Sequence, residues 1–362
     1  MAMSTWIDEA VGTAVSQVYR IASEVDDFPH ITERGRWRTT PDGVWTGGFW
    51  AGLLWLAHRV DGSERALEAA IAATDRLLPR AFDAHNHDLG FMFFPSAVRG
   101  WEVTGAARFE TAAIDAARSL AGQFNHRAGF IPGWGFFGGA EWSGSVLIDT
   151  IMNLPLLAWA VGRGAEPSLM TVVHRHAATA LAHHCRPDGS VYHVYRFDPD
   201  DGRPLGGDTY QGLNAASAWS RGQAWALTGF AILAAMTGEQ RYLEASRRIA
   251  GFFMSRLPED AVPRWDFDVT DPDAPRDASA SAIASFGLLK LHGLTGEAAH
   301  RDAAVVLLRA LVAQCANRGS QGGVLLHATA DLPHGLGIDA STMYGDFYYL
   351  KALLRLRDLE AT

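Results

Sequence analysis

Cysteine is scarce in this chain: only Cys185 and Cys315 occur among 362 residues. They form neither a CxxC pair nor a Cys/His spacing, which excludes a zinc module and a disulfide-stapled fold. Two lone thiols fit a reducing compartment. Runs of basic residues are missing as well. Lys plus Arg total 31 against 40 Asp plus Glu, a net charge of −9, so neither nucleic acid nor an anionic membrane is an expected partner. The longest apolar run, Ala224 to Met236, is shorter than the ~20 residues a bilayer-crossing helix needs. No GxxxxGK[ST] segment is present, which removes a P-loop. The opening MAMSTWIDEA carries acids and no apolar core, unlike a secretion signal. A cytoplasmic protein is the expectation.

Aromatic residues are plentiful, with 12 Trp, 18 Phe and 8 Tyr. Most of them suit a large core, and those at loop-to-helix junctions are placed to stack on a sugar ring. One unit keeps returning along the chain. A small or aromatic cluster opens an apolar stretch, a glycine turn follows, and a second stretch comes after it. The openings are Trp45-Thr46-Gly47-Gly48, His87-Asp88-Leu89-Gly90, Trp142 to Asp149, Trp219-Ser220-Arg221-Gly222, Asp277-Ala278-Ser279 and Asp339-Ala340-Ser341. The turns include Asp61-Gly62, Thr104-Gly105, Thr237-Gly238 and Thr295-Gly296, where glycine ends a helix in the left-handed conformation. Ala and Leu between these marks predict helices. Glu68 to Leu78, Ala112 to Phe124, Tyr242 to Leu257 and Ala299 to Ala313 carry charge on one face and read as outer helices. Gln223 to Met236 and Ser281 to Leu291 are apolar nearly all round and read as buried partners. With Thr5 to Glu24 closing the ring, the pattern is an all-α (α/α)6 barrel, one domain over residues 1–362.

In such a toroid the openings gather at one mouth, so Trp45, His87, Asp88, Asp149, Trp219, Arg221 and Asp339 become neighbours. Asp149 stands among apolar residues, which raises a carboxyl pKa toward a value useful to a general acid. Asn153, four residues on, is placed to share its face, and a helix N-cap is the competing role for Asp149. Asp88 is a second carboxylate, with an N-cap or a partner for His87 as its alternatives. Two convergent carboxylates suit glycoside chemistry. Arg221, with Trp225 four residues on, reads as a carboxylate clamp flanked by rings, or else as the neutraliser of a core acid. Tyr192 to Gly212 reads as a two-stranded flap over the mouth. The scattered histidines lack the spacing of a metal site.

The sequence resembles the unsaturated glucuronyl hydrolases, glycoside hydrolase family 88. The resemblance rests on WTGGFWAGLLWLA from Trp45, HNHDLGFMF from His85, IDTIMNLPLLAWA from Ile148 and HVYRFDPDDGRPLGGDTYQG from His193. It continues in AWSRGQAWALTGFA from Ala218, DASASAIASFGLL from Asp277 and YGDFYYLKALLRL from Tyr344. It implies an (α/α)6 barrel that removes a 4,5-unsaturated uronic acid from the non-reducing end of lyase-generated glycosaminoglycan oligosaccharides. It implies Asp149 as general acid/base and Asp88 as the second essential carboxylate. The substrate contacts it implies are Trp45, His87, Trp134, His193, Gln211, Trp219, Arg221 and Trp225. The implied partner is an anionic unsaturated oligosaccharide, with no metal and no cofactor. Leu213-Asn214 after Gln211-Gly212, and a short stretch from His327 to Gly335, depart from the pattern and leave sulfate tolerance and leaving sugar open. The competing readings are an unsaturated galacturonyl hydrolase on pectin fragments, a sugar 2-epimerase with paired histidine bases, and a non-catalytic glycan binder.

Overall fold

Ala and Leu lose little side-chain freedom in a helix, and the stretches they dominate are helical throughout. The computed structural model describes residues 4–133 and 142–361. Its first half holds α1 (Ser4–Glu24), α2 (Gly47–Asp61), α3 (Glu64–Leu77), α4 (Leu89–Phe93), α5 (Arg99–Thr104) and α6 (Ala107–Gly122). The second half holds α7 (Leu154–Gly162), α8 (Ser168–Thr179), α9 (Ser220–Thr237), α10 (Gln240–Ser255), α11 (Ala278–Thr295), α12 (Ala298–Gln314) and α13 (Met343–Glu360). Five short strands punctuate them: β1 (Phe28–Glu33), β2 (Arg36–Thr40), β3 (Ser145–Leu147), β4 (Val194–Phe197) and β5 (Pro204–Asp208).

The inner segments α2, α4–α5, α7, α9, α11 and α13 each touch the next, and α13 returns to α2. Outside them lie α3, α6, α8, α10, α12 and α1, and α1 packs on both α13 and α2 to close the ring. This is an (α/α)6 toroid. The two layers differ as their sequences require. In α9 every residue from Ser220 to Ala231 is buried. In α10 burial falls on Tyr242, Ala245, Ile249, Phe252 and Phe253, the single stripe of a half-exposed helix. Full burial of one such large apolar side chain contributes ~2 kcal/mol. Inner and outer helices join through the glycine turns: Gly238 and Gly296 both sit at φ 72°, a conformation that a Cβ disfavours.

The second inner segment is broken. Pro95 has no N–H to donate, and residues 94–98 form a wide π turn between α4 and α5. The third begins in a 3₁₀ turn over residues 148–152 before α7 starts. Antiparallel β3, β4 and β5 form one sheet, so the expected two-stranded flap exists and gains a third strand. The β1–β2 hairpin is tied to the opening of α13 by reciprocal bonds between Thr32 and Ser341. No described helix is long and apolar enough to cross a membrane.

Candidate active site

The mouth contains a cavity lined by residues from the first three of the six repeat openings, from the start of α13 and from the loops between them. Trp45, His87, Asp88, Asp149 and Gln211 meet there, joined by His30, Asp331 and Tyr344. Each carboxylate is placed by a local feature. Asp88 precedes α4 without capping it, and Gly90 lets that helix press onto the backbone of Asn153. A Cβ on Gly90 would come within 2.3 Å of Asn153 Cα. Asn153 Oδ1 accepts from the Phe91 N–H at 2.6 Å, which leaves its Nδ2–H₂ to donate to Asp88 Oδ1 at 3.2 Å. The expected Asn153 partner was Asp149, but the chain between them follows a 3₁₀ turn, so Asn153 serves Asp88.

Asp149 is held by that same turn, directly after β3. It caps no helix through its side chain. Its side chain is 15% exposed, yet Oδ1 is buried without a hydrogen-bond partner. Burial, then the charge of Asp88, pushes its pKa up to about 6, while His87 and Arg221 act the other way. Burial pushes Asp88 up to about 7 against the hydrogen bond from Asn153. Side by side, the pair keeps a proton at a pH where an ordinary carboxyl is ionised.

The sheet brings a histidine to this pair, because the Ile148 N–H donates to the carbonyl of His193 at the edge of β4. The backbone N–H groups of Tyr210 and Gln211 both donate to His193 Nδ1, at 3.2 Å. Nδ1 therefore carries no proton, and the neutral ring carries it on Nε2. Burial and Arg221 hold the ring well below its ordinary pKa. Its Nε2 lies 4.0 Å from Asp149 Oδ1 and has no hydrogen-bond partner. On the other flank His87 Nε2 is 3.6 Å from Asp88 Oδ1. Trp45 is half-buried and stacks on Tyr344 at 5.2 Å, giving the cavity an aromatic wall. Gln211 Nε2 donates to the Ala330 carbonyl at 2.9 Å, and Tyr210 stacks on His334 at 4.0 Å, so the flap is latched to the 327–335 loop.

Three expectations are corrected by position. Arg221 is not a free clamp: it is 2% exposed and bonds Asp277 Oδ2 at 2.6 Å, the Thr329 carbonyl at 2.6 Å and the Ala330 carbonyl. Asp277 also caps α11, so the neutralised core acid is the reading the structure supports. Trp225 is buried against Phe91 and Tyr348, and Trp219 lies 3% exposed between His193 and Arg221, behind the cavity wall. Asp339 is exposed and pairs with His327, away from the cavity. Trp134 lies outside the described residues. Sequence reasoning missed His30, Asp331 and Tyr344. Tyr344 stands at the opening of the sixth inner helix, a position the repeat itself marks. Among the described residues no group of three or more His, Cys, Asp or Glu is arranged to hold a metal ion.

A helical toroid whose mouth holds two close, proton-retaining carboxylates beside stacking rings has the build of a glycoside hydrolase. No protein-family model matches the chain. Individual proteins do. The chain is 36% identical to an unsaturated glucuronyl hydrolase of Bacillus sp. (strain GL1), covering 96% of both chains. It is 33% identical to an unsaturated chondroitin disaccharide hydrolase of Streptococcus pyogenes, over 96% of this chain and 90% of that one. Among solved structures, an unsaturated glucuronyl hydrolase specific for heparin superposes with a TM-score of 0.93 at 32% identity, covering 99% and 98% of the two chains. The chain belongs to the unsaturated glucuronyl hydrolases.

Proposed function

We propose that this enzyme releases the 4,5-unsaturated uronic acid from the non-reducing end of lyase-generated glycosaminoglycan oligosaccharides, by hydrating the C4=C5 bond. One observation carries the assignment of the acid: Asp149 Oδ1 is buried in the cavity, free of protein partners, and belongs to a carboxylate pair that retains a proton. Relatives named for glucuronyl, chondroitin and heparin substrates support the class of sugar.

The chemistry follows from the substrate. Its C4=C5 bond is a vinyl ether conjugated with a carboxylate. Asp149 delivers a proton to C4, and the positive charge that develops at C5 is shared with the ring oxygen. Water, or first a neighbouring hydroxyl, bonds to C5 and loses its proton to the Asp149 carboxylate. The resulting hemiketal opens and the remaining sugar leaves. Asp88, oriented by Asn153, keeps the pair's proton available, and the Nε2–H of His193 supports the Asp149 carboxylate once it has given that proton up. Trp45 on Tyr344 offers a face to the flattened ring, while His87 and Gln211 offer polar contacts. Arg221, Trp219 and Trp225 act through the wall they build. The ring closed by α1 supports one catalytic domain over residues 1–362, and two free thiols support work in the cytoplasm.

The test is direct. The protein is mixed with unsaturated chondroitin, hyaluronan and heparin disaccharides, and with an unsaturated galacturonyl disaccharide, while the conjugated ultraviolet band is followed. The band is expected to disappear with the glycosaminoglycan sugars. Turnover confined to the galacturonyl sugar would move the enzyme to pectin fragments, and no turnover of any would remove the assignment.

A further inference from the structure

The chain contains only two lysines, Lys290 and Lys351; its other basic residues are all arginine. Both lysines line one cavity, of about 300 Å³, at the end of the toroid away from the mouth. Lys290 comes from α11 and Lys351 from α13, with Arg355 four residues further on α13 and facing the same space. The Lys351 ammonium lies 4.5 Å from the ring of Phe286 and 4.9 Å from that of Phe347, which hold it in place. No described acid forms an ion pair with Lys290, Lys351 or Arg355, and Arg355 Nε is buried without a hydrogen-bond partner. Two further cations border the cavity with acids of their own, Arg99 with Glu102 and Arg59 with Asp358.

Five cations against two acids is a local reversal in a chain of net charge −9. Support of helix C-termini does not account for it. That effect fades within the last turn, whereas Lys290 and Arg355 stand more than one turn from their helix ends and Lys351 more than two. The cations also oppose one another. Burial, then Lys290 and Arg99, push the Lys351 ammonium down to about 7, against the attraction of Glu102. An anion among them would relieve that repulsion.

We propose that this end of the toroid is a second binding site, separate from the catalytic mouth, for a phosphate or sulfate monoester of monosaccharide size. Lys290, Lys351 and Arg355 would receive the anionic group, and Phe347 and Pro95 would border the sugar.

The two lysines make the test clean, because an amine-acylating reagent has only them and the N-terminus to modify. Acylation of each is measured by peptide mass spectrometry with glucose 6-phosphate, glucose 6-sulfate, inorganic phosphate or glucose present. The monoesters are expected to slow modification of Lys290 and Lys351 by at least about fivefold at 10-fold excess over Kd, leaving the N-terminus unaffected. In Arg355→Gln that protection should fall, with activity on an unsaturated disaccharide kept as proof of folding. Calorimetry on Lys351→Met provides an independent arm and should show weakened monoester binding. Absence of protection, equal protection by inorganic phosphate or glucose, or full protection in Arg355→Gln would each overturn the proposal.

Discussion

The mouth of this toroid buries two sets of charged groups, and they are finished in opposite ways. On one side Arg221 and Asp277 are closed systems: the guanidinium meets a carboxylate and two carbonyls, and Asp277 also caps a helix. On the other side Asp149 keeps an unbonded Oδ1, His193 keeps an unbonded Nε2 4.0 Å away, and Asp88 has one amide donor. A buried polar atom without a partner costs about 1–3 kcal/mol, so a fold tolerates such atoms where another molecule completes them. The comparison separates scaffold from chemistry within one wall. Residues of the closed side should be read out as stability, and residues of the open side as turnover.

The largest effect is expected at Asp149. Asp149→Asn fills the same volume but cannot deliver a proton, and kcat should fall by about 10³-fold or more with substrate binding and thermal midpoint nearly unchanged. A loss below about tenfold, or ~1.4 kcal/mol, would place the acid elsewhere. Asp88→Asn comes next, at about 10²-fold, with a distinct signature in pH. The charge of Asp88 raises the Asp149 pKa, so its removal lets Asp149 lose its proton at lower pH. Wild-type kcat/KM should decline as pH rises through about 6 to 7, where the pair gives up its proton. In the variant that alkaline limb should move to lower pH; a limb that stays in place would take Asp88 out of the coupling.

Arg221→Lys sharpens the other side. An ammonium keeps the charge but cannot reach a carboxylate and two carbonyls at once. We expect a stability loss of about 2–3 kcal/mol by denaturant unfolding, shared by Asp277→Asn, with a smaller fall in kcat than at Asp149 or Asp88. Should Arg221→Lys unfold like wild type and instead raise KM steeply, Arg221 would hold substrate after all. The smallest effect belongs to the latch. Gln211→Ala removes one bond to Ala330 where the flap ends after β5, worth about 1 kcal/mol, and should raise KM severalfold with little change in kcat.

Much of this layout was readable in the residues. The Ala- and Leu-rich stretches and glycine turns foretell the toroid because helix propensity and left-handed caps are local properties, and α1 closes the ring where Thr5 to Glu24 suggested. Asp149 stood out because a lone carboxylate in an apolar run is itself a signal, whereas Asp88, preceded by His85-Asn86-His87, was marked by its place at a repeat opening and by the family resemblance. The role of Arg221 was not legible, since its partner Asp277 is 56 positions away and pairing over that distance leaves no local mark. Asp331 and His30 escaped for the same reason: a loop and a hairpin bring them to the mouth, outside the repeat. The choice of Asp339 over Asp331 shows the limit of extending a repeat to its final opening, where the acid at the mouth comes from the 327–335 loop and the helix start supplies Tyr344 instead.

The account turns on a proton delivered to an alkene carbon by Asp149, and that chemistry exists only for an unsaturated uronate. Steady-state kinetics on one unsaturated disaccharide and on its saturated counterpart therefore test it most directly. Turnover of the unsaturated sugar, none of the saturated one, and loss of both band decay and sugar release in Asp149→Asn are the predicted results. Comparable hydrolysis of the saturated disaccharide would contradict the account and make this an ordinary glycosidase acting at C1.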